Sequence, residues 1–307
     1  MKQLAALLVA VVAASGCEKP VSKLDNSKPG AATATATGGS IETRLKRIED
    51  NLARREAALA FLEEAFDGQR KQREAQEASE PAPDAIFAVD ITQDLQLGQV
   101  EGSPTAPVTI VKAFDFACPY CQKVNVTLEE LVKEYDGKVR VVYKNFVVHP
   151  DTALPGHLAS CAAAKQGKYV QFKNAFWDKA FGPYAQSGGK DRASLAADNL
   201  LKIAGELGID AARFKTDMDG QECKAFVQAD MAELEKFKVS STPTLYVNGT
   251  HVGGALPKEA FKKLIDEKLA IVASSGIAAG EYYDKAVLGQ GEKQFRSKKT
   301  SKAERAN

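Results

Sequence analysis

The chain has 307 residues, enough for one large domain or two ordinary ones with a full hydrophobic core. Its 41 basic and 40 acidic side chains leave a net charge of +1, which excludes the strongly basic surface that a nucleic-acid binder needs. Beyond the N-terminus no apolar run approaches the roughly 18 residues that cross a bilayer.

In chain order the first feature is a targeting segment. Lys2, the apolar run Leu4 to Ala14 and the small residues Ala14-Ser15-Gly16-Cys17 read as residues 1–17 of a signal peptide, too short to span a membrane. An end in Gly-Cys resembles the bacterial lipoprotein signal, in which cleavage exposes the cysteine and lipids are attached to it. Ala14 stands where that motif prefers Leu, and an ordinary secretory signal is the alternative. Both readings export the protein to an oxidising compartment. The lipoprotein reading makes Cys17 the anchor, and Glu18 rather than Asp after it favours the outer membrane.

Residues 18–40 are rich in Ala, Thr, Ser, Gly and Pro without periodicity, a flexible tether. From Ser40, an N-cap candidate, the pattern turns helical over 41–78. Ile41, Leu45, Ile48, Leu52, Arg55, Leu59, Leu62 and Phe66 alternate four and three apart, the a/d seam of a coiled coil with one polar break. Roughly four heptads suit a homo-oligomer; a lone amphipathic helix lying on the globular domain is the alternative. Pro81-Ala82-Pro83 marks the next boundary.

Ile86 to Ile91 reads as a short strand, and Val108 to Phe116 as a longer one leading into Cys118-Pro119-Tyr120-Cys121. A C-x-x-C at a strand-to-helix junction places a sulfur at a helix N-terminus, where unpaired N–H groups favour a thiolate. Pro119 suits the first helical position, and the three-residue step allows a reversible disulfide with Cys121. Half of a structural zinc site, or a two-thiol grip on a soft ion such as Cu(I), are the competing chemistries; no second pair lies at short spacing.

The helix from Pro119 ends near Asp136-Gly137, and Val139 to Val148 forms the next strand. A helical region of about 153–237 follows, including Lys168 to Phe181 and Ser194 to Leu207. Asn248-Gly249 is a hairpin turn between Leu245–Val247 and His251–Val252, and Pro257 to Ala273 forms a last helix. Residues 276–307 read as a weakly ordered polar tail, its lysines a solvated run. His149 and His157, on either side of the loop from Pro150 to Pro155, and His251 are assigned surface or packing roles. Setting Cys17 aside, four of the five cysteines remain. If Cys118 and Cys121 pair, Cys161 and Cys223 are left either to bridge a long loop or to stay as buried thiols.

Taken together, Ala106-Pro107-Val108-Thr109, Phe114 through Cys121, Gln166-Gly167-Lys168-Tyr169, Thr242-Pro243-Thr244 and Val247-Asn248-Gly249 resemble the DsbA-like thiol–disulfide oxidoreductases. The likeness covers about 86–275. It implies an α/β thioredoxin fold with a helical insertion, here preceded by the coiled-coil helix. It makes Cys118 the exposed nucleophile and Cys121 the resolving thiol, with Pro119 and Tyr120 tuning the thiolate. It makes Pro243 a cis-proline beside the disulfide, with Thr242 offering backbone groups to substrate, and places a second disulfide at Cys161 and Cys223. It implies no cofactor or metal, cysteine-containing exported proteins as substrates in the periplasm, and a membrane redox partner that resets the pair. The oligomeric seam and Thr242 are similar to features of multimeric disulfide isomerases, so oxidation, isomerisation and reduction all stand open. A lipid-tethered client-binding scaffold without turnover is a further alternative. One departure stands out: where the family has a buried acid, six residues before the first cysteine, this chain has Lys112. Partly buried, it would favour the thiolate or lose its own charge; snorkelling to solvent, it would do neither.

Overall fold

A computed structural model describes residues 39–306. The signal segment, Cys17 and the tether up to residue 38 lie outside the described residues. The chain divides between Asp67 and Gly68 into two compact units.

Helix α1, Ile41–Ser79, crosses that division. It starts where Ser40 is expected to cap it: the Ser40 hydroxyl accepts the Thr43 N–H at 3.4 Å, and its carbonyl accepts the Arg44 N–H. The seam residues Ile41, Leu45, Ile48, Leu52, Leu59, Leu62 and Phe66 are all exposed in the single chain, and α1 buries none of its residues.

In the second unit α2 (Thr92–Leu97) and β1 (Val100–Gly102) precede β2 (Val108–Phe114), α3 (Pro119–Glu134) and β3 (Val139–Asn145). Six helices follow: α4 (Pro150–Ala164), α5 (Tyr169–Phe176), α6 (Gly182–Gln186), α7 (Ala197–Glu206), α8 (Ala211–Asp219) and α9 (Gln221–Glu235). Then come β4 (Thr244–Val247), β5 (Thr250–Gly253), α10 (Lys258–Ser274) and α11 (Lys298–Ala306). The five strands lie in the order β1-β3-β2-β4-β5, with β2 and β3 parallel and the other pairs antiparallel. This is the thioredoxin arrangement with the helices α4 to α9 inserted between β3 and β4.

Every residue of β2 and β3 is buried, as a sheet covered on both faces requires. Val108, Ile110 and Phe114 join Val124, Leu128 and Leu131 of α3, Phe172 and Phe176 of α5, and Phe261 and Ile265 of α10 in one core. Val111 and Ala113 face the opposite side with Phe87, Val142, Phe237 and Tyr246. The disulfide Cys161–Cys223 joins α4 to α9 across 62 residues, a constraint worth about 4 kcal/mol on the unfolded chain in the loop-entropy account. Asn248 and Gly249 turn the β4–β5 hairpin with positive φ (42° and 80°). A Cβ on Gly249 would come within 2.6 Å of Ile86 Cγ2, so glycine is also required for packing.

Three sequence expectations are corrected. Ile86 to Ile91 forms no sheet strand; Phe87 makes an isolated bridge to Glu292, and β1 is the edge strand instead. The loop Pro150 to Pro155 is the start of α4: Pro150 occupies its first turn, and Pro155 lies inside the helix. Residues 276–307 are not a loose tail. Tyr283 and Val287 are buried in the second core, the Tyr283 hydroxyl donates to Val89 O at 2.8 Å, and Phe295 stacks on Phe87. In α11, Lys298 and Lys299 pair with Glu80 and Glu74 at 2.9 Å, and Lys302 pairs with Glu77. A few apolar residues among many lysines carry this docking, and they show no periodicity.

Phe87 is held by Phe237, Tyr246 and Phe295, with ring centroids 5.9 to 6.1 Å away. Phe87→Ala is expected to destabilise the second unit by about 3–5 kcal/mol, read from the urea midpoint with the disulfide intact. An unchanged midpoint would mean that the C-terminal segment is not part of this core.

Candidate active site

The α3 positions Cys121, Val124, Asn125, Leu128 and Leu131 recur at helical spacing and are buried, so the face that carries Cys121 is the one turned to the core. Cys118 is the N-cap, in extended backbone conformation, and Pro119 opens the first turn. The Cys118 carbonyl accepts the N–H groups of Cys121 and Gln122 at 3.1 and 3.2 Å.

Asp115 holds the loop that leads to this point. Its carboxylate accepts the N–H groups of Ala117 at 2.7 Å, Val148 at 2.6 Å and His149 at 2.9 Å, tying the end of β2 to the start of α4. His157 supports the next residue. It is fully buried; its Nδ1 donates to Asn145 Oδ1 at 2.7 Å, and its Nε2 accepts the Phe116 N–H at 3.4 Å. Burial pushes its pKa down to about 4, so the neutral ring keeps this tautomer, in the packing role expected of it. Gly156 lets α4 approach: a Cβ there would meet the Phe176 ring at 2.8 Å.

The two sulfurs occupy opposite electrostatic environments. Cys118 keeps 6 % exposure, more enclosed than an open nucleophile, and Cys121 keeps none. The Cys118 pKa is brought down to about 5, first by the hydrogen bond from the Cys121 side chain, then by Thr242 and the N–H groups of Cys121 and Tyr120, against the opposing effect of burial. Burial first, and then the bond it gives to Cys118, push the Cys121 thiol far up. The pair therefore carries its charge on Cys118 and its proton on Cys121.

The Thr242-Pro243 peptide is cis, and the Thr242 carbonyl lies 3.3 Å from Cys118 Sγ. The β4 strand thus brings residues from far along the chain to the redox pair. Tyr120 is exposed, with Lys123 over its ring at 5.6 Å. A cleft of about 310 Å³ opens beside α3, lined by Gln122, Asn125, Glu129 and Trp177 among others.

Lys112 is fully buried rather than partly so. Its Nζ donates to Cys121 O at 3.1 Å and Asn125 Oδ1 at 3.3 Å, and lies over the rings of Tyr143 and Phe114. Burial brings its pKa down to about 7, against the pull of the cysteine pair. The sequence reading missed Asp115, Asn125 and Lys173. Asp115 sat inside the matched Phe114–Cys121 stretch without an assigned role; Lys173 looked like one more polar position on a helix. Among the described residues, no three His, Cys, Asp or Glu side chains converge as a metal site would require, and no helix is long and apolar enough to cross a membrane.

Thiolate reactivity gives the direct check. Alkylation of reduced Cys118 should rise with pH through an inflection near 5 and stay flat above it, because the group is already ionised there. Thr242→Val, which keeps the carbonyl but removes the hydroxyl whose hydrogen bond helps to lower the Cys118 thiol, should move the inflection upward. An inflection near the ordinary thiol value would contradict this account of the site.

Comparison with known proteins places this geometry. The thioredoxin family model matches residues 95–267. The chain is 34 % identical over 194 residues to the probable disulfide bond formation protein D of Bacillus cereus, covering 60 % of this chain and 82 % of that one. It is also 31 % identical over 264 residues to the Na(+)/H(+) antiporter NhaA 3 of Salinispora tropica; the match covers 85 % of this chain but 35 % of that protein, so what is shared is one part of a longer chain. Oxidised BdbD from Bacillus subtilis, matched over 62 % of this chain and 100 % of that one, has the same fold with a TM-score of 0.50 at 21 % identity. The chain belongs to the thioredoxin family, among its DsbA-like thiol–disulfide oxidoreductases.

Proposed function

We propose that this enzyme exchanges disulfides with exported, cysteine-containing proteins through Cys118 and Cys121, and that it acts chiefly as a disulfide donor. The observation that carries the reading is the separation of charge and proton between the two sulfurs. A Cys118 thiolate held down to about pKa 5 stabilises the dithiol relative to the disulfide, which makes the pair oxidising. Because the disulfide does not titrate, the extra stabilisation of the dithiol relative to a pair with an ordinary thiol grows as pH rises from about 5 toward the ordinary thiol value and is lost below 5. In this reading Cys118 forms the mixed disulfide and Cys121 resolves it. Pro119 and Tyr120 shape the thiolate's surroundings, and Thr242 beside Pro243 receives an extended substrate.

The N-terminal signal pattern supports periplasmic export, with Cys17 as a lipid anchor and the outer membrane as the favoured destination. A membrane redox partner would then restore the disulfide. The exposed a/d seam of α1 supports a second reading, a homo-oligomeric isomerase whose several active sites share one substrate. An amphipathic stripe of this length favours self-association over solvent exposure.

Two experiments separate these readings. A Cys121→Ser variant in cells should accumulate mixed disulfides with exported proteins; none would leave the scaffold reading, to be settled by whether a Cys118→Ser, Cys121→Ser double variant still functions. Sedimentation and refolding of a scrambled disulfide substrate, with and without residues 41–78, test the rest. The intact protein should sediment as an oligomer and the truncated one as a monomer. Loss of scrambled-substrate refolding on truncation, with oxidation of a reduced substrate retained, would favour the isomerase.

A further inference from the structure

The cleft beside α3 has no part in the exchange between the two sulfurs. Gln122, Asn125, Val126 and Glu129 stand at i, i+3, i+4 and i+7, so they form one face of α3. The facing wall comes from the inserted helices: Asn174 of α5, Trp177 and Asp178 at the π-helical turn Trp177–Phe181, and Gln186 at the end of α6. The Trp177 carbonyl accepts the Gly182 N–H, five residues on, and also Gln122 Nε2 at 3.4 Å, which joins the two walls. The near end of the cleft lies close to the nucleophile, because Gln122 gives its N–H to Cys118 O at 3.2 Å. From Gln122 to Glu129 the α3 wall runs about 10 Å, the reach of about three extended residues.

Some of these side chains are already engaged. Asn125 Oδ1 accepts from buried Lys112 and buried Lys173 at 3.3 Å, and its Nδ2 donates to Glu129 Oε1 at 2.6 Å. Glu129 has its counter-charge in Lys173, 3.0 Å away. Others are free. Among the described residues the side chains of Asn174, Asp178 and Gln186 make no hydrogen bond or ion pair, and Lys179, next to Asp178, is paired with Glu206 at 2.6 Å. Trp177 Nε1 is buried without an acceptor. A buried N–H left this way carries a desolvation cost that an arriving carbonyl would remove. Val126 is exposed and adds an apolar rim. The lining holds two acids and no base, and the acid without a counter-charge is Asp178. Free amides, an indole donor, an apolar rim and one open carboxylate suit a stretch of polypeptide backbone that carries a cationic side chain. An anionic or wholly apolar ligand would leave these groups unmet.

We propose that this cleft is a substrate subsite additional to Thr242, one that holds the chain of a cysteine-containing protein about three residues from its reacting cysteine and selects Lys or Arg there. Asp178 pairs with the cationic side chain. Asn174, Gln186 and Trp177 Nε1 take up the backbone groups, and Val126 covers the apolar stem of the Lys or Arg. The inference rests on the Cys118 exchange proposed above, and it adds a preference which that exchange does not contain. Thr242 offers a backbone carbonyl, which reads no side chain. Asp178 offers a charge, which does. The cleft acts through binding alone and leaves the bond exchange to Cys118.

The test uses the full-length Cys121→Ser variant, reduced, and peptides whose single cysteine is disulfide-bonded to 5-thio-2-nitrobenzoate. Cys118 attacks the peptide sulfur, the peptide stays joined to Cys118, and the coloured thiolate leaves. Its release, followed against peptide concentration, gives a half-saturating concentration and a limiting rate. The peptides carry Lys, Ala or Glu at the third residue before or after the cysteine, and their reaction with glutathione supplies the correction for intrinsic reactivity. On one side of the cysteine the half-saturating concentration should be about fivefold lower for Lys than for Ala, the upper end for one part-exposed ion pair, and highest for Glu. The corrected limiting rates should be alike. Asp178 is exposed, so Asp178→Lys should fold, and it should reverse the order so that Glu binds best. Trp177→Phe should weaken every peptide by about threefold, the loss of one hydrogen bond, and keep the order. Equal half-saturation for Lys, Ala and Glu on both sides, or an order that survives Asp178→Lys, would overturn the subsite. No release of the coloured thiolate from any peptide would overturn the redox reading itself.

Discussion

One turn of helix separates two sulfurs that want opposite protonation states, and much of the second unit serves that difference. The α3 N-terminus turns unpaired N–H groups toward Cys118 and sends the next sulfur inward. Hydrogen bonds lower the first thiol, and exclusion of water raises the second. Neither effect works unless the turn is held firmly, since a thiolate stabilised by oriented donors loses that stabilisation when they move. Asp115 supplies much of the hold, binding three backbone N–H groups that lie on both sides of the site.

The parallel β2–β3 pair makes this geometry possible. A sheet buried on both faces gives α3 a rigid floor, and it also removes water from any polar side chain that points under the helix. Lys112 lies there because strand alternation sends it to the same face as Ile110 and Phe114. A second buried polar group lies at the opposite face. Lys144 bonds Asp94 at 2.5 Å and Asp230 at 2.6 Å, and Asp230 also receives the Asn145 N–H and side-chain amide. Asn145 in turn orients His157, which holds the Phe116 N–H, so the rear cluster reaches the cysteine loop through three hydrogen-bonded residues. Breaking one partner of such a buried pair leaves an uncompensated charge, which is why these positions are constrained together.

The inserted helices and the C-terminal segment close the unit around the sheet. The Cys161–Cys223 bridge ties the first inserted helix to the last, so that the aromatic group Phe116, Phe176 and Trp177 packs against the cysteine loop from a fixed scaffold. On the other face Tyr283, Val287 and Phe295 cover Phe87, doing for the second core what the insertion does for the first.

Local chemistry carries most of the identification. The C-x-x-C with proline after the first cysteine, the Thr-Pro before a strand and the Asn-Gly turn are each decided within a few residues, because turn geometry and helix starts depend on neighbours along the chain. The helical pattern of α1 is equally local, and the sequence alone was enough to mark where it starts. Other features depend on residues brought together from a distance. Asn125 looks like any helix position until Lys112 and Lys173 arrive on either side of it from β2 and α5. Tyr283, Val287 and Phe295 look like stray apolar residues among lysines until Phe87 lies beneath them. The sequence by itself determined the C-x-x-C at a helix start and the helical N-terminal stripe, since these follow from short-range spacing. Only the tertiary structure decided which charges are buried, because burial depends on which parts of the chain meet in space.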